Sequence, residues 1–226
     1  MKAVILSLLG LFLLSSCEDG VQVPITGELT KEKFEQAEFQ IDQILQRSQG
    51  IAIRLVLNSE GGSVVETLKF IEKLDDLRDQ GERFYTEVRA GGQCSSACVM
   101  LFSAGDRRFA KPNSQFMVHA LMPEIERADG QPVTQADLGR VQDRFAKMYL
   151  AQLRRSSEAF ADEVESEGLL LGFTTADAKG KVFSGSKLIS AYGDQFINAK
   201  RVDQDPPYEV ITVSAGKLLL ASENGY

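Results

Sequence analysis

Residues 91–102 read Gly91-Gly92-Gln93-Cys94-Ser95-Ser96-Ala97-Cys98-Val99-Met100-Leu101-Phe102, a glycine turn followed by small residues and then an apolar run. A strand candidate at 84–88 precedes them, so the small residues are predicted to lie where a strand passes into a helix. A hydroxyl in the first turn of a helix stays exposed, and the backbone N–H groups there can stabilise an oxyanion. Taken alone, however, the composition favours a plain buried helix whose Ala, Ser and Cys residues allow close packing.

Two other segments shift the balance toward a nucleophile turn. Residues 55–64 read as an apolar strand that runs into Gly61-Gly62 and then into a helix. Glycine at such a turn lets a backbone N–H point at a substrate carbonyl. Residues 113–119 end at His119, which is the single histidine of the chain, so any serine–histidine mechanism must use it. The spacing of Ser96 and His119 leaves room for one helix and one return strand.

In order and in residue type, these segments resemble the proteolytic subunit of Clp protease, within the Clp/crotonase superfamily. The resemblance rests on three blocks: residues 55–64, Gly92-Gln93-x-x-Ser96 and residues 113–119. It extends from about residue 25 to about residue 189 and is strongest between the first block and the last. The Cys-x-Ser-Ala-Cys variant around the nucleophile is similar to a group of exported relatives of that protease.

By position in these motifs, the resemblance implies a role for each residue of the site. Ser96 corresponds to the nucleophile and His119 to the general base. The N–H groups of Gly61-Gly62 and of Ala97 correspond to the oxyanion donors. The reaction that these roles describe is acyl transfer to a serine, for which we expect no cofactor and no metal.

The third member of the catalytic group is where the chain departs from the family. The family carries an aspartate just before a Phe-x-Ser/Thr-Ala segment, whereas residues 169–172 read Leu-Leu-Leu-Gly. Glu167 and Asp177 are neighbouring carboxylates, and each is also typical of a solvated helix charge. A carboxylate normally holds the imidazole tautomer. A dyad aided by a backbone carbonyl therefore stays open, as does a protein that kept the fold and lost the chemistry.

The resemblance implies an α/β fold of repeated ββα units, with a mainly parallel central sheet and flanking helices. The residue pattern agrees, because 51–57 is an apolar run typical of a parallel strand covered on both faces. Thr30 and Ser63 are N-cap candidates for the helices on either side of this strand. We expect a single domain over residues 25–226.

Later segments complete this expected domain. Residues 134–164 read as one long amphipathic helix, which in the family projects as a handle and makes ring contacts. Residues 173–178 and 187–189 resemble the closing helix and strand of the family. A hairpin is predicted at about 208–220, within a C-terminal extension over 206–226.

The first residues have the pattern of a secretory leader. A positive start and a short apolar core over 1–16 are followed by Cys17, and Leu-Ser-Ser-Cys resembles the bacterial lipobox. We expect a lipid on Cys17, a tether over 17–24, and a domain that faces the periplasm or the cell exterior from the bacterial cell envelope. An ordinary leader cut near Ser16, with Cys17 as a bystander, is the alternative.

Cys94 and Cys98 are the two remaining cysteines. Export places them in an oxidising compartment, and a spacing of i, i+4 on a helix can bring the two thiols together. The alternatives are a disulfide that braces the nucleophile turn and two small buried hydrophobic residues. A zinc site is a poor interpretation, because two thiols without a matching histidine leave the coordination shell incomplete.

The charge of the chain bears on the kind of molecule that it binds. The chain has 25 Lys and Arg residues against 32 Asp and Glu residues, a net charge of −7, which argues against nucleic acid as a partner.

We expect a membrane-anchored, ATP-independent serine peptidase for short or unfolded peptides, assembled as a trimer or a ring. The main alternative is an inactive binding or scaffold lipoprotein. Weaker alternatives are a crotonase-type acyl-CoA enzyme and a serine–lysine peptidase that uses Lys111 or Lys179.

Overall fold

A computed structural model describes residues 20–48, 50–121, 132–172 and 180–199, together with the backbone of 210–214 and 217–221. The predicted leader, the lipid site at Cys17 and the predicted helix at 173–178 lie outside this range. The elements are, in chain order, β1 (Val21–Leu29), α1 (Lys31–Arg47), β2 (Ile53–Gly62), α2 (Val64–Asp79), β3 (Phe84–Val88), β4 (Gln93–Ser95), α3 (Ala97–Ser103), β5 (Arg107–Ala110), β6 (Gln115–His119), α4 (Gln135–Arg154), α5 (Glu158–Ser166), β7 (Gly180–Ser184), α6 (Gly185–Phe196), β8 (Val210–Ser214) and β9 (Lys217–Ala221).

A curled, mainly parallel sheet organises these elements and confirms the predicted α/β class. Its strand order is β5-β3-β2-β4-β6-β7, and β1 also pairs with β2. Every pairing in this sheet is parallel except that of β6 with β7. The first half of β2 pairs with β3, whereas Ser59, near its end, pairs with Cys94 of β4. The end of β2 therefore lies beside the end of β4.

Helix α3 lies at the centre of the hydrophobic core. All of its residues are buried, and the ring of Phe102 lies 4.9 Å from that of Phe116 in an edge-on contact. Helices α1 and α2 bury Phe34 and Phe70, whose rings stack at 4.7 Å. Since side chains in a close-packed core have little room to shift, the start of α3 is held firmly in place.

Two strands differ in extent from the prediction. Strand β1 begins at Val21 rather than at residue 25, because Val23 and Ile25 point alternately into the core while the backbone pairs with β2. The predicted tether over 17–24 is therefore too long at its C-terminal end. Strand β2 continues through Gly61 and Gly62, where the sequence predicted a turn out of the sheet.

The long helix predicted over 134–164 is two helices. α4 ends at Arg154, and the side chain of Ser157 accepts a hydrogen bond from the N–H of Phe160 to begin α5. This cap and the full burial of Phe160 turn α5 back onto the domain. The strand predicted at 187–189 is also wrong, because Ser184 accepts from the N–H of Lys187 and starts α6 there.

At the C-terminal end of the chain, β8 and β9 pair in antiparallel register from Val210 opposite Ala221 to Ser214 opposite Lys217. The predicted hairpin at 208–220 is thus present, with strand ends within two residues of the expected ones. Of the helices that the structure describes, none combines the length and the apolar character needed to cross a bilayer.

Candidate active site

Ser96 occupies a strained turn between β4 and α3. Its φ of 54° and ψ of −125° make it the single non-glycine residue with positive φ in the described part of the chain. Such a conformation costs about 1–3 kcal/mol and persists only where neighbouring contacts impose it. Here the N–H of Ser96 donates to the Met117 carbonyl at 2.7 Å, which ties the turn to β6. The result is a sharp strand-to-helix turn that presents a hydroxyl beside the first turn of α3.

Tyr149 fixes the other side of this turn. Its hydroxyl donates to the Ser96 carbonyl at 2.9 Å, and the side chain is fully buried on α4. Burial raises the pKa of Tyr149, because the phenolate would lose its hydration, so the hydroxyl stays protonated and remains a donor. Helix α4, which the sequence analysis connected only with ring contacts, therefore also holds the Ser96 turn.

His119 ends β6 and reaches the same cavity. Ser96, His119 and Gly62 line a cavity of about 650 Å³. The Nδ1 atom of His119 lies 2.9 Å from the Ala120 carbonyl. A carbonyl only accepts, so this contact is a hydrogen bond when Nδ1 carries the proton, and in that neutral tautomer Nε2 is the acceptor.

Ser96 and His119 are thus brought to one cavity, but their side chains are not hydrogen-bonded. The contacts of the described residues include no bond between the Ser96 hydroxyl and the imidazole. Catalytic hydrogen bonds are often long until a substrate is bound, so the missing bond does not exclude proton transfer between the two side chains.

The structure does not place the predicted orienting carboxylate at the histidine. Glu167 lies at the end of α5, where it accepts from the Lys181 ammonium at 2.6 Å, and it does not line the cavity. Lys181 also pairs with Glu163 at 2.6 Å, which holds this end of α5 against β7. Asp177 lies outside the described residues. In the described part of the chain, the Ala120 carbonyl is the partner of His119 Nδ1.

Gly61 allows the ends of β2 and β4 to approach closely. A Cβ on Gly61 would lie 2.7 Å from both the Ser95 carbonyl oxygen and the Ser96 Cβ, and its φ is 105°. The N–H of Gly61 already donates to the Ser59 hydroxyl at 3.0 Å. Gly61 is therefore needed for space and conformation, and its N–H is not available to a substrate.

Gly62 supplies the N–H that faces the cavity. It lies opposite Leu29 of β1, and the next N–H, that of Ser63, donates to the Leu29 carbonyl at 2.9 Å. Successive N–H groups of an extended strand point to opposite sides, so the N–H of Gly62 points away from β1. Ala97 is the first residue of α3, and its N–H has no acceptor within the helix. Gly62 and Ala97 are thus the two candidate oxyanion donors.

Replacing Gly61 by alanine is expected to lower the free energy of unfolding by about 2–4 kcal/mol, through positive-φ strain and overpacking against Ser96. Denaturant titration measures this loss, and the reactivity of Ser96 should fall with it. Gly81→Ala is the matched control, since Gly81 has a φ of 97° but no atom within 4 Å of an added Cβ. Equal losses in the two variants would show that the close approach to Ser96 is unimportant.

The sulfur atoms of Cys94 and Cys98 are joined, with 5.1 Å between the two Cα atoms. Of the two alternatives, the structure thus contains the disulfide. Both residues are fully buried. The bond links β4 to the first turn of α3 and spans the Ser96 turn between them.

Several cavity residues escaped the sequence prediction. Glu28 and Glu60 line the cavity together with an apolar side chain of α4, Phe145. Glu60 directly precedes the glycine pair, so its position could have been read from the motif. No sequence motif could have indicated that Glu28 lines the cavity, because its position depends on the register between β1 and β2.

Residues 15–181 match the family model described as Clp protease. The matched range includes every residue that lines the cavity, and it ends before α6 and the C-terminal hairpin. A comparison with curated proteins found no match.

Proposed function

Because the chain belongs to the Clp protease family, we propose that it is a serine peptidase in which Ser96 is the nucleophile and His119 the general base. The observation that carries this proposal is the strained Ser96 turn at the start of α3, opening into the cavity that His119 and Gly62 also line. A hydroxyl, an imidazole and convergent N–H groups are the parts that acyl transfer needs.

The first half of the proposed reaction is acylation. Ser96 Oγ attacks the carbonyl carbon of a peptide bond while Nε2 of His119 takes the hydroxyl proton. The negative charge on the substrate oxygen is stabilised by the N–H groups of Gly62 and Ala97. Donors of this kind commonly contribute about 10²–10³-fold each in rate. Nε2 then gives its proton to the leaving amine, and a water molecule hydrolyses the acyl group by the same steps in reverse.

The Ala120 carbonyl takes the role that a carboxylate usually has. Its bond to Nδ1 fixes the tautomer, so Nε2 is ready to accept a proton. A neutral carbonyl stabilises the imidazolium less than a carboxylate does, and loss of the carboxylate can cost about 10⁴-fold in turnover. We therefore expect a slow peptidase.

The proposed setting is the bacterial cell envelope. The leader pattern and Cys17 support export and a lipid anchor, and a disulfide is typical of an oxidising compartment. Without ATP there, the substrates would be short or unfolded peptides that enter without an unfoldase. A homo-oligomer, as a trimer or a ring, is the proposed assembly.

A fluorophosphonate probe on the full chain tests the peptidase proposal. We expect a single covalent adduct, located by peptide mapping on the peptide that contains Ser96. Heat-denatured protein is the control, because the reactivity depends on the folded turn. An adduct on a different serine, or none after prolonged exposure, would contradict the proposal.

An inactive binding or scaffold lipoprotein is the second candidate. The observation that favours it is the pairing of His119 with a carbonyl instead of a carboxylate. Binding of a peptide by folded protein that gives no adduct on Ser96 would support this candidate over the first.

A further inference from the structure

Two carboxylates lie in the wall of the candidate active-site cavity. Glu28 of β1 and Glu60 of β2 are exposed, and both line the cavity together with Ser96. In the described part of the chain, neither has a basic partner. The cavity lining, as described, contains no lysine or arginine. Among the described residues, the cavity that Ser96 lines thus carries two carboxylates and no lysine or arginine opposite them.

Glu28 and Glu60 lie on neighbouring strands, close to a β-bulge in β2. The register changes from Thr26 opposite Asn58 to Glu28 opposite Gly61, so β2 has one residue more than β1 in this interval. Ser59 stabilises the bulge by accepting from the Gly61 N–H at 3.0 Å. Glu60 is exposed while Ser59 and Gly61 on either side are buried, which is the alternation of an extended strand.

The remaining wall of the cavity is largely apolar. Val64 and Val65 at the start of α2, Leu121 after β6 and Phe145 of α4 contribute to it. Ser96 is only 8% exposed, and its hydroxyl forms no hydrogen bond within the described part of the chain. Ser96 thus lies in the wall of a cavity of about 650 Å³, which is large enough for a peptide group to reach its hydroxyl.

We infer that this cavity selects peptides that carry lysine or arginine close to an apolar residue at the scissile bond. The inference rests on the proposed peptidase function and adds a substrate class to it. The apolar residue of the peptide packs against the valine and phenylalanine side chains. The cationic group lies between the carboxylates of Glu28 and Glu60, where an acidic peptide is repelled.

Two quenched peptides test this selectivity on the full chain. Both have the centre Ala-Leu-Ala-Leu, with two lysines on each side in one and two glutamates on each side in the other. At low salt we expect kcat/KM to be about tenfold higher for the lysine peptide, since each exposed ion pair contributes modestly. High salt should reduce this ratio, because exposed charges are screened.

Charge reversal locates the source of the preference. Glu60→Lys and Glu28→Lys should each lower the lysine-to-glutamate ratio about threefold. Glu72→Lys is the matched control, because Glu72 is exposed on α2, does not line the cavity and gives the same change in net charge. A ratio near one in the unmodified chain, or an equal drop in the Glu72 variant, would overturn the inference.

The two proposals fail in different ways. Hydrolysis of both peptides at equal rates would leave the peptidase function intact and remove the charge preference. If neither peptide is cleaved and Ser96 forms no adduct, the same peptides with a fluorescent label report binding by anisotropy. Tighter binding of the lysine peptide, reduced by Glu60→Lys, would then support the charge preference without the chemistry. Equal binding of the two peptides would overturn it.

Discussion

Replacing Ser96 by alanine is expected to abolish the fluorophosphonate adduct and to lower peptide hydrolysis by about 10⁴-fold or more, as loss of a serine nucleophile does elsewhere. Stability should change little. The Ser96 side chain makes no hydrogen bond in the described part of the chain, and alanine leaves the backbone contacts with Met117 and Tyr149 in place. Activity and denaturant unfolding are measured on the same preparation.

Ser95→Ala provides the matched control for this prediction. Ser95 is adjacent and equally buried at 8% exposure, but it does not line the cavity. This variant should keep both the adduct and the hydrolysis. Loss of the adduct in Ser95→Ala, with its survival in Ser96→Ala, would show that Ser95 and not Ser96 is the nucleophile. The proposed site would then be wrong.

Replacing His119 by alanine is expected to lower peptide hydrolysis by about 10³-fold, because a positioned general base contributes about 10²–10⁴-fold. The Ala120 carbonyl keeps the proton on Nδ1, so Nε2 is the atom whose loss matters. The rate of adduct formation on Ser96 should fall in parallel, since the same proton transfer activates the hydroxyl. Single-turnover kinetics with the probe and steady-state hydrolysis measure the two effects.

Lysine variants are the control for the histidine prediction. Lys111 follows β5 and does not line the cavity, and Lys179 lies outside the described residues. Lys111→Ala and Lys179→Ala should each keep at least half of the activity. Activity that survives in His119→Ala but disappears in one of the lysine variants would favour a serine–lysine mechanism instead.

Much of the scaffold follows from local patterns in the sequence. The apolar run that became β2 and the helix that Thr30 caps could both be predicted, because periodicity and capping act over a few residues. The details that depend on contacts between distant parts of the chain could not be predicted in this way. The break before α5 depends on the Ser157 cap and on the buried Phe160, and a continuous amphipathic pattern runs through both.

The candidate site could likewise be predicted only in part. The position of Ser96 and His119 at one cavity could be predicted from motif spacing, because Ser96 follows β4 and His119 ends the neighbouring parallel strand β6. The use of the Gly61 N–H by Ser59 could not be predicted, since it arises from the bulge in β2. The position of Glu28 in the cavity wall depends on the register between β1 and β2, which short-range sequence patterns do not encode.

Because Cys94 and Cys98 are joined, the compartment in which the chain is produced decides whether the assayed protein carries a disulfide or two thiols. Chain produced in a reducing cytoplasm would carry two thiols at the Ser96 turn, and chain secreted into an oxidising space would carry one disulfide bond there. The two products would differ by a pair of hydrogen atoms and in the freedom of the backbone on either side of Ser96. Preparations from different hosts are therefore different samples, and thiol quantification belongs with every rate that is compared between them.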